Sequence, residues 1–280
     1  MEIRHKKLRV VGAFVIAVFV LVIVLGTFWY LNKPRTDPVS SRSSTQSATS
    51  EQPKAITVNL PNATPVTAIK EDYDSDASLW RIVSKDYPYN DSHYVPSGLE
   101  LATVSSRTDK SNEERSLRAD IMPAVEKLFT AMTAQGYDMM IGSGYRSYDL
   151  QNMYYTNYVK ASGEAAANQF SAKPGQSEHQ SGLAFDISYQ SRQCYLDTCF
   201  GDTEAGKWIQ AHSYEYGFIV RYPKDKTTVT KYMYEPWHLR YVGTELAKAL
   251  HDSGLTLDEA RPYLQTALKE LKDTKAIPSS

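Results

Sequence analysis

An α+β fold is predicted for most of this 280-residue chain. Strand-like and helix-like stretches are interspersed without the regular βαβ punctuation of a doubly wound sheet. Segments such as "GLAFDIS" (182–188) alternate like half-buried strands. Apolar and aromatic residues run from about Glu71 to Leu271, roughly 200 residues, enough for one sizeable core.

In chain order, residues 10–31 come first: from Val10 to Leu31 there is no charged residue. These 22 positions would make roughly 33 Å of helix, enough to cross a hydrocarbon core of about 30 Å. Arg4, Lys6, Lys7 and Arg9 precede the run and only Lys33 and Arg35 closely follow it, which predicts a cytoplasmic tail (1–9), a signal-anchor (10–31) and an extracellular remainder. A cleaved signal peptide would have a shorter apolar core and small residues at its exit, whereas this exit is Phe28, Trp29 and Tyr30. Residues 32–70 are rich in Ser, Thr, Pro and Ala and are expected to form a flexible stalk. The folded domain is expected over 71–275.

Within that domain the spacing predicts a helix from Leu117 to Ala134, ended near Gly136. "YDMMIGSGYRS" (137–147) reads as a strand entering a Gly-rich turn, and Ser147 is placed to cap a second helix through Val159. Glu204 to Tyr216 is helical, with Gly217 at its end. "GFIVRY" and "YEPWHLRYV" are further strands, and two helices separated by Ser253-Gly254 close the chain.

Charge narrows the function. Residues 1–35 carry six Lys/Arg and one Glu, a formal +5, so the remainder carries −1 − 5 = −6. A mildly acidic domain without a basic stripe argues against nucleic acid as a partner. Cys194 and Cys199 lie too far downstream for a lipoprotein anchor and lack a second Cys or His pair at zinc-finger spacing. They are expected to close a small disulfide loop.

Chemistry concentrates in "SEHQSGLAFD" (177–186) and "EPWH" (235–238), with 52 positions from Asp186 to His238. A catalytic zinc site needs three protein ligands and an open position. His179, Asp186 and His238 would supply the ligands, and Glu235 would remain to carry the proton from a metal-acidified water. In a regular strand Glu235 and His238 would point to opposite faces, so a bend at Pro236 would be needed; in a helical turn they would share a face. Both readings stand at this point. The zincin pattern H-E-x-x-H is absent, and "GSG" around Ser143 is not a nucleophile elbow. His5, His93, His212 and His251 are read as surface or structural.

The two segments, together with "GYRS", "PGQSEHQSG", "YGFIVRYP" and "EPWHLRYVG", resemble the VanY-like D-alanyl-D-alanine carboxypeptidase family with its S-x-H-x-x-G-x-A-x-D and E-x-W-H signatures. The likeness spans about Leu79 to Leu250. It implies a small antiparallel sheet flanked by helices, the fold of D-Ala-D-Ala metallopeptidases, lysostaphin-type enzymes and the hedgehog domain. It implies Zn2+ held by His179, Asp186 and His238, with Glu235 as catalytic base. Arg146 would stabilise substrate charge, and Ser177 and Gln151 would contact the substrate. The expected substrate is the D-alanine end of peptidoglycan stem peptides. D,D-cleavage is favoured over the L,D-cleavage that turns tetrapeptide into tripeptide stems. An endopeptidase or a non-catalytic wall-binding domain ranks below both. The expected unit is a monomer.

Overall fold

The computed structural model describes residues 55–275. The expected cytoplasmic tail, signal-anchor and first part of the stalk lie outside these residues. Among the described residues, no helix is long and apolar enough to cross a membrane.

The folded domain begins earlier than expected. Strands β1 (Thr57–Val58) and β2 (Val66–Thr67) pair antiparallel. Val58, Leu60, Val66 and Ala68 are buried against the last two helices and Trp80. The stalk therefore does not extend to residue 70. Apolar residues recur there at every second position, the period of a strand, but the surrounding Ser, Thr and Pro dilute the signal.

Strands β3 (Leu99–Leu101) and β4 (Ser116–Arg118) form a second antiparallel pair. The helix expected from Leu117 is shorter at its start. Leu117 pairs with Glu100, residues 119–121 form a 3₁₀ turn, and α1 runs over Met122–Ala134. Pro123 lies in its first turn, where the missing N–H costs nothing.

The central sheet has four antiparallel strands in the order β5-β6-β8-β7: β5 (Met139–Ser143), β6 (Ala184–Tyr189), β7 (Phe218–Tyr222) and β8 (Glu235–Tyr241). Between β5 and β6 run α2 (Tyr148–Ser162) and the short α3 (Glu164–Phe170), the latter not anticipated. Ser147 caps α2 as expected, its Oγ accepting from the Leu150 N–H at 3.3 Å. Helix α4 (Glu204–His212) continues as a 3₁₀ turn to Tyr216 and ends at Gly217 with φ +85°. The short α5 (Thr227–Thr230) precedes β8. The chain closes on α6 (Thr244–Ser253) and α7 (Leu257–Asp273), whose Thr256–Glu259 capping box satisfies the first turn.

Alternation along the sheet separates core from site. Phe185, Ile187, Trp237 and Leu239 pack with Leu128, Met132 and Ile209 into one core cluster. Asp186 and His238 point to the other face, and Arg240 follows them two positions on, fully buried.

Candidate metal centre

Register builds the site. Asp186 on β6 stands directly opposite His238 on β8, and cross-strand partners on one face have neighbouring Cβ atoms. His179 comes from the 3₁₀ turn Glu178–Ser181 just before β6. That turn ends at Gly182 with φ +68°, the left-handed conformation in which a Cβ is costly. A Cβ there would also lie 3.0 Å from Leu99 Cδ2 and 3.1 Å from Arg118 Cγ.

The three expected ligands converge. Their donor atoms lie within 4.8 Å of one another, and all three residues are buried. His179 Nε2 is 3.4 Å and His238 Nδ1 3.5 Å from the same oxygen, Asp186 Oδ1. Four-coordinate zinc at about 2.0–2.2 Å from N and O donors sets donors about 3.4 Å apart, so these separations fit. His179 Nε2 and Asp186 Oδ1 are buried without a hydrogen-bond partner among the described residues, an arrangement that is costly unless a cation satisfies it. The other nitrogen of His179, Nδ1, is 2.7 Å from the Gly144 carbonyl. That contact fixes the tautomer that leaves Nε2 as the ligand.

Gly144 sits where only glycine fits. A Cβ there would be 2.5 Å from Ser116 O and 3.1 Å from Glu114 O. The β5–α2 turn containing Gly144 also delivers Arg146, whose N–H donates to the His179 carbonyl at 3.3 Å. Its guanidinium Nη2 is 3.9 Å from Asp186 Oδ2, and Nε is buried without a partner among the described residues.

For "EPWH" the structure selects the bent strand. Tyr222 faces Glu235 and Val220 faces Leu239, so two residues of β7 step against four of β8. This bulge contains Pro236, which has no N–H to offer the ladder. It rotates Glu235 onto the face of His238, with Glu235 Oε2 3.7 Å from His238 Nδ1.

The protonation preferences of the protein groups follow from their surroundings. Burial, helped by Asp186, pushes the Glu235 carboxyl up to about 8 against the pull of His238, Arg146 and Lys85. Burial and then Arg146 lower His179 to about 4, which keeps it neutral as a ligand must be. Burial opposes charge on His238 too, but the carboxylates of Asp186, Glu178 and Glu235 around it outweigh burial and raise the imidazole to about 9, a proton that a bound cation would displace. Asp186 is held below the usual carboxylate range despite burial, chiefly by the two histidines.

A cavity of about 320 Å³ opens over these groups, lined also by Arg146, Gln151 and Ser177. Gln151 is the one buried residue of α2. Its Nε2 donates to Ala172 O at 2.8 Å, and its Oε1 has no partner among the described residues. All seven residues expected at the site are thus brought together. Composition and spacing did not single out Tyr222, whose ring is 4.9 Å from that of His238, or Tyr232, whose buried hydroxyl lacks a described partner; both line the cavity. Cys194 and Cys199 are joined in a disulfide, and their loop, read as an elaboration, supplies Leu196, Asp197 and Thr198 to the cavity wall. The other described histidines lie elsewhere: His93 stacks on Tyr148, His212 contacts Glu215 and His251 stacks on Tyr214.

A family profile described as "VanY: D-alanyl-D-alanine carboxypeptidase" matches residues 114–244, which include all seven. YodJ of Bacillus subtilis (strain 168), which carries a carboxypeptidase name, is 43% identical over 189 residues, 68% of this chain and 69% of that protein. The LdcB LD-carboxypeptidase, whose structure is described as revealing the molecular basis of peptidoglycan recognition, is similar with TM-score 0.62 and 40% identity, covering 73% of this chain and 94% of LdcB. A zinc(II) complex of a point mutant of the vancomycin-resistance D,D-pentapeptidase VanY from a VanB-type cassette is similar with TM-score 0.54 and 32% identity, covering 65% of this chain and 98% of that chain.

Proposed function

The chain belongs to the VanY D-alanyl-D-alanine carboxypeptidase family, and on that footing we propose that it removes the terminal D-alanine from peptidoglycan stem peptides as a D,D-carboxypeptidase. It is a zinc enzyme. The observation that carries the reading is the convergence of His179, Asp186 and His238 on one point beneath a cavity that also presents Glu235 and Arg146.

Zinc bound there would acidify a water and polarise the scissile carbonyl. The chain's own residues do the rest. With a cation held by His179, Asp186 and His238, the Glu235 carboxyl would be drawn down from about 8 into its carboxylate form. That carboxylate, buried and facing the cavity, takes the proton of the attacking water as the new C–O bond forms. It returns that proton to the departing amine of D-alanine as the C–N bond breaks. Arg146 offers a fork of donors to the substrate's terminal carboxylate or to charge developing on the carbonyl oxygen. Ser177, nearly buried at the cavity wall, offers a hydroxyl to the same carboxylate. Gln151, with its amide nitrogen engaged by Ala172, presents an acceptor suited to a substrate N–H.

The likeness to an LD-carboxypeptidase at TM-score 0.62 favours a second reading, cleavage between the diamino acid and D-alanine of a tetrapeptide. Mass spectrometry of defined muropeptides incubated with the zinc-loaded full chain separates the two. Pentapeptide converted to tetrapeptide supports D,D-cleavage, and tetrapeptide converted to tripeptide establishes L,D-cleavage. Zinc-independent or absent loss of D-alanine would overturn both.

We further propose that residues 10–31 anchor the enzyme and hold the catalytic domain outside the cell. The uncharged apolar run and the basic residues before it support this. Recovery of the full chain in the soluble fraction after carbonate washing of membranes would refute it. A monomer is the proposed unit, since one chain supplies every ligand, the base and the arginine. Light scattering of the detergent-solubilised chain tests that.

A further inference from the structure

Beneath the metal ligands lies a cluster of charges that the reaction as described does not use. Glu178, Arg221 and Arg240 have fully buried side chains. Arg221 Nε and Arg240 Nη1 both donate to the same oxygen, Glu178 Oε1, each at 2.8 Å. Arg221 also reaches Asp258 at the start of α7, and Arg240 Nη2 donates to the Leu79 and Arg81 carbonyls. The cluster is balanced in charge, with two arginines against two carboxylates, as burial demands.

The second oxygen of Glu178 is the informative one. Oε2 takes no hydrogen bond among the described residues, and neither does His238 Nε2. They face each other at 3.7 Å, which a small rotation of the ring would close to bonding distance. His238 turns its other nitrogen, Nδ1, toward Asp186 and the metal position. An imidazole that ligates through one nitrogen carries its proton on the other, and a carboxylate accepting that proton fixes both tautomer and ring orientation.

We propose that Glu178 is the positioning residue of the metal centre: it accepts the His238 Nε2–H, so that Nδ1 is left to bind zinc, while Arg221 and Arg240 clamp the carboxylate in place. His179 gets the same service from the Gly144 carbonyl. The two histidines therefore ligate through opposite ring nitrogens. The inference rests on the zinc-site reading above and adds a residue that the ligand set does not contain.

The test is zinc affinity of the full chain, measured by competition with a chelator of known affinity, in wild type, E178Q and D258N. In E178Q the remaining carbonyl oxygen can still accept from both arginines, but the new amide donates toward His238 Nε2. That forces the imidazole proton onto Nδ1, the nitrogen the metal requires. Zinc affinity should fall about ten- to hundredfold. D258N removes a carboxylate from the same cluster without facing His238 and should bind zinc as wild type does. Equal affinity in E178Q and wild type overturns the proposal, and so does an equal loss in D258N. Failure of the wild type itself to bind zinc would instead sink the zinc reading. If E178Q does not fold, imidazole nitrogen NMR of the zinc-loaded wild type decides. An exchange-protected Nε2–H on His238 is expected, and a proton on Nδ1 or a rapidly exchanging Nε2–H overturns the assignment.

Discussion

Asp186 and His238 stand opposite one another on adjoining antiparallel strands, with Asp186 Oδ1 3.5 Å from His238 Nδ1. Both ligands thus ride on the two central strands of the sheet, and the metal position inherits their rigidity. Chelation should abolish activity while leaving the fold intact, because the core clusters do not depend on the ion. Zinc at 100 times its dissociation constant adds about 2.7 kcal/mol of stability. Thermal melts with and without chelator should therefore differ by a zinc-dependent increment, and identical melts would argue against a bound ion.

Glu235→Gln removes the proton carrier while keeping the side-chain volume. Turnover should fall by about 10²–10⁴-fold, the usual worth of a general acid–base. Zinc content, read by atomic absorption, should be unchanged. Near-normal turnover would remove Glu235 from the mechanism.

Arg146→Ala should lower kcat/KM by about ten- to hundredfold, since hydrogen bonds to charged groups contribute about 1.5–3 kcal/mol. Arg146→Lys should recover only part of that, because a point charge does not reproduce the guanidinium fork. An unfolded Ala variant by circular dichroism would mean that the arginine is structural.

Gly144→Ala places a methyl 2.5 Å from a backbone oxygen of Ser116. The turn must shift, at a cost of about 1–3 kcal/mol, or about 2–12 °C in Tm. Because the Gly144 carbonyl holds His179, zinc should also bind more weakly. A variant with wild-type melting and zinc affinity would show that the turn relaxes freely.

A chain beginning at residue 71 should be far less stable than one beginning at residue 55. It lacks Val58, Leu60 and Val66, each almost completely buried. Burial of such side chains contributes about 1.5–3 kcal/mol each, and a whole domain has only about 5–15 kcal/mol to lose. Urea melts of the two truncations would measure the difference, and equal midpoints would show that the hairpin contributes nothing.

Much of this was legible without coordinates. The α+β class, the central strands and the Ser147 cap follow from local periodicity and capping chemistry, which act over a few neighbouring residues. Four of the seven expected site residues, His179, Asp186, His238 and Glu235, follow from the chemistry of two short motifs, whereas Arg146, Ser177 and Gln151 were expected only from the resemblance to the family. What failed were boundaries in weakly patterned stretches. Residues 55–70 carry a strand period under a stalk-like composition, and residues 117–121 continue a helical spacing that pairing with Glu100 overrides.

The residue types for a zinc hydrolase were therefore written in the sequence itself: two histidines, an aspartate and a free glutamate at fitting positions. Only the tertiary structure decided how they meet. Strand register set Asp186 against His238, and the bulge at Pro236 turned Glu235 onto their face. Glu178, Arg221 and Arg240 come from three separate segments whose charges gain meaning only when buried together. Local patterns record which groups a segment carries, whereas long-range pairing and burial determine which of those groups share one low-dielectric space.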